Sequence, residues 1–128
     1  MVLSMWRTKR VLVLSVVVSM SGLLMGTAQA SDPAHLDQLT KTRNCAGCDL
    51  SGANLAGWTL PKANLVGANL TGASLYKAQL SQANLDGAVL ADADLTGANL
   101  LGAHKANLSG AKTDASTTCP NGKAGPCQ

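Results

Sequence analysis

Leucine returns at every fifth position through the middle of the chain: Leu50, Leu55, Leu60, Leu65, Leu70, Leu75, Leu80, Leu85, Leu90, Leu95 and Leu100. Alanine almost always stands two places before it. This period excludes both ordinary elements. On an α-helix, residues five apart advance by a net rotation of about 140°, so the leucines would spiral around the axis and form no stripe. In a straight strand they would alternate between faces, and half would lie in water. What satisfies the pattern is a chain that runs a few extended residues, turns a corner every five, and points each leucine at one inner axis.

Within a unit such as Ala63-Asn64-Leu65-Val66-Gly67, the Ala and Leu share the inner face and the Asn between them points out. The last two residues turn the corner. Glycine at the final place suits a positive φ there, but Lys62, Lys77, Gln82 and Asp92 hold the same place in other units. The expectation is therefore that only some corners take φ > 0. The register breaks at Ala103-His104-Lys105, where an unbroken count would set Lys105 on the leucine axis. It resumes two residues early as Ala106-Asn107-Leu108-Ser109-Gly110, which adds Leu108 to the core stack and predicts a bulge or the start of a C-terminal closure. Beyond Ala111 the pattern dissolves into Ser, Thr, Asp, Gly and Pro, and the tail is expected to be a loop.

Tandem Ala-Asn-Leu-x-Gly units resemble the pentapeptide-repeat proteins. The resemblance implies an all-β fold, a right-handed quadrilateral β-helix with four repeats per coil and about three coils here. On that arrangement Leu50, Leu70 and Leu90 stack, as do Leu55, Leu75 and Leu95, and Leu60, Leu80 and Leu100. At roughly 4.8 Å per coil the rod would be only about 14 Å long. So few coils need closed ends, because an open end bares apolar core and unpaired backbone. Residues 31–42 supply one candidate, a short helix with Asp32 as N-cap, Pro33 in its first turn, and Leu36 and Leu39 on one face. The small lumenal members of the family pair such a capping helix with Cys-x-x-Cys.

The first 30 residues read differently. Arg7, Lys9 and Arg10 precede a run of Val, Leu and Met that ends in Ala28-Gln29-Ala30, the form of a secretory signal peptide with an A-x-A cleavage site. The expected organisation is then a signal peptide at 1–30, a capping helix at 31–44, the β-helix at 45–113 and a disulfide-closed tail at 114–128. Export points to the periplasm or a thylakoid lumen. Cleavage would leave seven Lys+Arg against seven Asp+Glu, which removes the electrostatic case for binding nucleic acid, or a membrane once the signal is gone.

Four cysteines in a small exported chain read first as disulfides. Joining Cys45 or Cys48 to Cys119 or Cys127 would require the tail to fold back along the rod, so the favoured pairs are Cys45 with Cys48 and Cys119 with Cys127. Cys45-Ala-Gly-Cys48 could instead be a redox dithiol, but no helix N-terminus or adjacent cation is evident to activate it. A zinc site has less support, since His35 and His104 lie far apart. Trp58, in an alanine position, reads as filler near the first coil ahead of an exposed anchor, and Tyr76 as an ordinary surface aromatic. No catalytic residues and no cofactor are expected. The leading functional expectation is a non-enzymatic structural or protein-interaction module. The alternatives are a thiol-disulfide protein using Cys45 and Cys48, and a DNA mimic that acts on a topoisomerase, the latter disfavoured by export and neutral charge.

Overall fold

The structure, a computed structural model, describes residues 31–127; the signal-peptide reading, with Ala28 and Ala30, lies outside the described residues. Helix α1 spans Pro33–Thr42. Asp32 caps it by accepting from the Ala34 N–H at 2.9 Å, and Arg43 ends it with φ 54° while donating to the Leu39 carbonyl at 2.9 Å. Leu39 is fully buried and Leu36 packs partly against the same core. Three further bonds tie α1 to the chain that follows. The Asp32 N–H donates to Asp49 O at 3.3 Å, the Asp49 N–H to His35 Nδ1 at 3.0 Å, and Gln38 Nε2 to Asn44 O at 2.7 Å.

From Asn44 onward each five-residue unit makes a single parallel bridge to the residue 20 positions later: Asn44 with Asn64, Asp49 with Asn69, Asn54 with Ser74, and so on to Asn84 with His104. Twenty residues are four units, so each pentapeptide pairs with the fourth one after it. The ladder repeats with little variation. The Leu55 N–H donates to Ser74 O at 2.8 Å, and the Ser74 N–H donates back to Ala53 O at 2.8 Å. Corners are closed locally, as when the Ala53 N–H returns to Leu50 O at 3.0 Å across Ser51 and Gly52, with Gly52 at φ 65°. A positive φ at the third residue of a four-residue turn is the type II pattern. It also sets the side-chain alternation, and all eleven leucines from Leu50 to Leu100 are buried, with alanines filling the space beside them.

Two expectations need correction here. Lys62 (φ 59°), Lys77 (55°), Gln82 (59°) and Asp92 (57°) all adopt the left-handed conformation, as the glycines do. The ladder on both sides of the corner dictates the turn, and a side chain there costs roughly 1–2 kcal/mol without changing the backbone. Leu108 is also only half-buried, packing against the core from its rim and not within it.

The C-terminal part departs further from the sequence reading. Bridge spacing falls to 18 for Asp94 with Lys112 and rises to 19 for Asn99 with Thr118, and the Gly102 N–H still pairs with Pro120 O at 2.9 Å. The ladder therefore runs past residue 113, into the segment expected to be loop. Lys105 avoids the core by turning the corner early, at φ 47°, and its ammonium sits 3.1 Å from the Asp86 carboxylate in solvent. After Thr118 the chain doubles back, with Thr118 bridged antiparallel to Ala124 and the Cys119 N–H donating to Lys123 O at 2.8 Å.

Candidate functional site

The outward polar residues are the first place to look for chemistry, and most are already engaged. An Asn or Asp just before an inner residue accepts from the N–H two places on: Asn54 from Ala56 at 3.2 Å, Asn69 from Thr71 at 3.1 Å, Asn84 from Asp86 at 3.1 Å, Asn99 from Leu101 at 3.1 Å. This is the Asx turn, which covers a corner N–H that the ladder does not use. Some amides also stack along the rod, as Asn64 Nδ2 on Asn44 Oδ1 at 3.1 Å and Asn99 Nδ2 on Gln79 Oε1 at 3.3 Å. Sequence reasoning placed these side chains outside without seeing the turn they make, although Asn or Asp two places before a corner amide is a readable signal.

Where the turn residue is an aspartate, its acidity follows. Hydrogen bonds from the side chain and backbone of Ser51 hold Asp49 below the usual carboxylate value, and Thr96 lowers Asp94 likewise, its N–H donating to the carboxylate at 3.0 Å. For Asp114 the Ser116 hydroxyl, at 2.6 Å, has the largest effect. These carboxylates stay ionised and do not pair as acid and base.

The cysteines lie at the two ends. Cys45 and Cys48 are joined with their Cα atoms 5.1 Å apart, both buried beneath α1. Cys119 and Cys127 are joined at 5.5 Å between Cα atoms and close the doubled-back tail. His35 bonds the backbone of Asp49 at the first end, whereas His104 is exposed at the other, and among the described residues no group of His, Cys, Asp or Glu could hold a metal. Trp58 is half-buried against the core, and Tyr76 is exposed with Lys77 Nζ 5.1 Å from its ring centre. A cleft of about 500 Å³, which sequence reasoning did not find, opens at the C-terminal end between the early corner at Lys105 and the tail.

The family model for pentapeptide repeats matches eight copies over residues 48–112, just over half of the chain. The chain belongs to the pentapeptide repeat family. No curated protein sequence matches it. Among solved structures, a pentapeptide repeat protein from Nostoc PCC 7120 is 26% identical, with 78% of this chain and 90% of that one covered and a TM-score of 0.51. HetL, a pentapeptide repeat protein involved in heterocyst differentiation regulation in Nostoc sp. strain PCC 7120, is 36% identical over 59% of this chain, at a TM-score of 0.44; the match spans 40% of HetL's length. A pentapeptide repeat protein of the Arabidopsis thaliana thylakoid lumen is 28% identical, covering 63% of this chain and 65% of that one, at a TM-score of 0.21. The family and the first of these structures place the chain in the right-handed β-helix fold.

Proposed function

We propose that this protein is a non-enzymatic structural or protein-interaction module of an exported compartment, a periplasm or thylakoid lumen. Its β-helix is read as four-sided, about three full coils long, with α1 as its N-terminal cap and the Cys119–Cys127 loop closing the other end. The observation that carries the reading is how the polar side chains are used. Outward Asn and Asp oxygens serve their own turns, inward residues are packed, and both disulfides hold chain ends. What such an object can offer is surface, and surface of fixed spacing is suited to binding another protein. The signal-peptide pattern supports the compartment.

Thiol exchange at Cys45 and Cys48 has less support, because both cysteines lie buried under α1 with no exposed sulfur for a partner thiolate to attack. The near-neutral exported chain likewise argues against duplex mimicry. Crosslinking in the native exported compartment, followed by pull-down and mass spectrometry, tests the reading. One or a few reproducible protein adducts are expected, and an absence of adducts from either compartment would contradict it.

A further inference from the structure

The two-residue shortening after His104 leaves a gap in an otherwise continuous ladder. Neither the N–H nor the C=O of Lys105, Ala106 or Asn107 bonds to another described backbone group, whereas the flanking ladder resumes at Gly110, whose carbonyl accepts from Asp92 at 2.9 Å. Lys105 and Ala106 of this segment line the 500 Å³ cleft, whose walls also include Leu108, Pro120, Ala124 and the ring-closing Cys127. Lys105 and Lys123 also line it, and among the described residues no Asp or Glu does. Lys105 is shared with Asp86, and Lys123 has no ion-pair partner among the described residues.

Unpaired backbone groups at Ala106 and Asn107, beside a cleft with both apolar and polar walls, can receive a strand, since main-chain pairing supplies affinity and alternate side chains enter the pocket. Two ammonium groups, of which Lys123 has no ion-pair partner among the described residues, select negative charge. Resting on the proposed interaction role, we propose that this end binds an extended segment of a protein partner in which acidic and apolar residues alternate. Such a segment pairs with Ala106 and Asn107, seats an apolar side chain against Leu108 and Ala124, and sets its carboxylates toward Lys105 and Lys123. A simple amphipathic carboxylate would meet the charge and the apolar wall and leave the free edge unpaired.

The test is titration of the purified protein, followed by NMR, with the capped peptide acetyl-Asp-Leu-Asp-Val-Asp-amide, with its Lys-Leu-Lys-Val-Lys counterpart, and with octanoate. The acidic peptide should give saturable shifts at residues 105–108 and 123–124 and slow amide exchange at Ala106 and Asn107. The doubly neutralised variant Lys105→Gln/Lys123→Gln, whose side chains are exposed and whose fold is checked by circular dichroism, should bind it about tenfold more weakly, as befits two partly exposed charges. Equal binding of the basic peptide, octanoate giving the same exchange protection, or no saturable shift at about 1 mM peptide would overturn the proposal. Crosslinking in the native compartment separates it from the broader reading. Adducts lost in the double variant support this site, adducts retained there overturn it and leave the interaction role standing, and no adducts from either form contradict the interaction role itself.

Discussion

The hydroxyl of Thr117 donates to the carbonyl of Leu95 at 2.9 Å, 22 positions back in the chain. Thr117 occupies a place that alanine fills in the earlier circuits, it is fully buried, and it also accepts from the Asp114 N–H at 3.1 Å. One side chain thereby fastens the start of the tail to the stack. Thr117→Val keeps the shape and leaves the Asp114 N–H without that acceptor, at an expected cost of roughly 1–3 kcal/mol. Urea denaturation should register the loss, and amide exchange should quicken first at Cys119 and Gly125. An unchanged midpoint would mean that the tail is held by other contacts.

The disulfide at the same end adds a constraint that acts mainly on the unfolded chain. For the nine-residue loop from Cys119 to Cys127, the chain-entropy relation gives about 2.6 kcal/mol as an upper-end figure. Replacing both cysteines by serine should let protease cut the tail before the leucine stack unfolds. Simultaneous loss of tail and stack would show that they form one cooperative unit.

Gly67 has φ 66° and nothing within 4 Å of a Cβ built on it, so Gly67→Ala isolates the backbone cost of a corner. The left-handed penalty of roughly 1–2 kcal/mol is partly offset by the lower entropy of the unfolded chain, which leaves about 1 kcal/mol of destabilisation. Lys62→Gly, at φ 59°, should shift stability in the opposite direction. Equal melting of the parent and both variants would contradict the corner geometry.

The aspartates of the turns predict an acid limb. Asp49, Asp94 and Asp114 are held below their ordinary value in the fold, so each contributes stability that is present above the unfolded value of about 3.9 and is lost as pH falls through the folded one. Denaturation midpoints should therefore decline below about pH 4, and less steeply in Asp94→Asn and Asp114→Asn. A parent curve that stays flat to pH 2 would show that the hydroxyl and amide bonds to these carboxylates do not form.

How much could be read without coordinates follows from where the physics is local. Leucines five apart exclude helix and strand by angle alone, so the inner axis from Leu50 to Leu100 was legible, as was α1 from Asp32, Pro33, Leu36 and Leu39. The corners at Lys62 and Gln82 were misread because composition records what a turn prefers, while the ladder decides what it must do. The tail was hidden for a related reason. Thr118 and Lys112 hold ladder places without the Ala-Asn-Leu signature, and spacings of 18 and 19 erase the count. The cleft at Lys105 is a consequence of that lost register in three dimensions, and no residue type announces it.

Every position assigned above depends on the leucines sharing one dry inner axis, and adjacent substitutions test this most directly. Leu75 is fully buried and Tyr76, one place on, is 42% exposed. Leu75→Asp would set an unpaired carboxylate in the core at a cost of several kcal/mol, enough to unfold a small domain, whereas Tyr76→Asp places the same charge in water. Thermal unfolding followed by circular dichroism should show no cooperative transition for Leu75→Asp and a transition within a few degrees of the parent for Tyr76→Asp. If both variants melt like the parent, or if Tyr76→Asp is the one that fails to fold, the leucine axis is wrong and the five-residue coil with it.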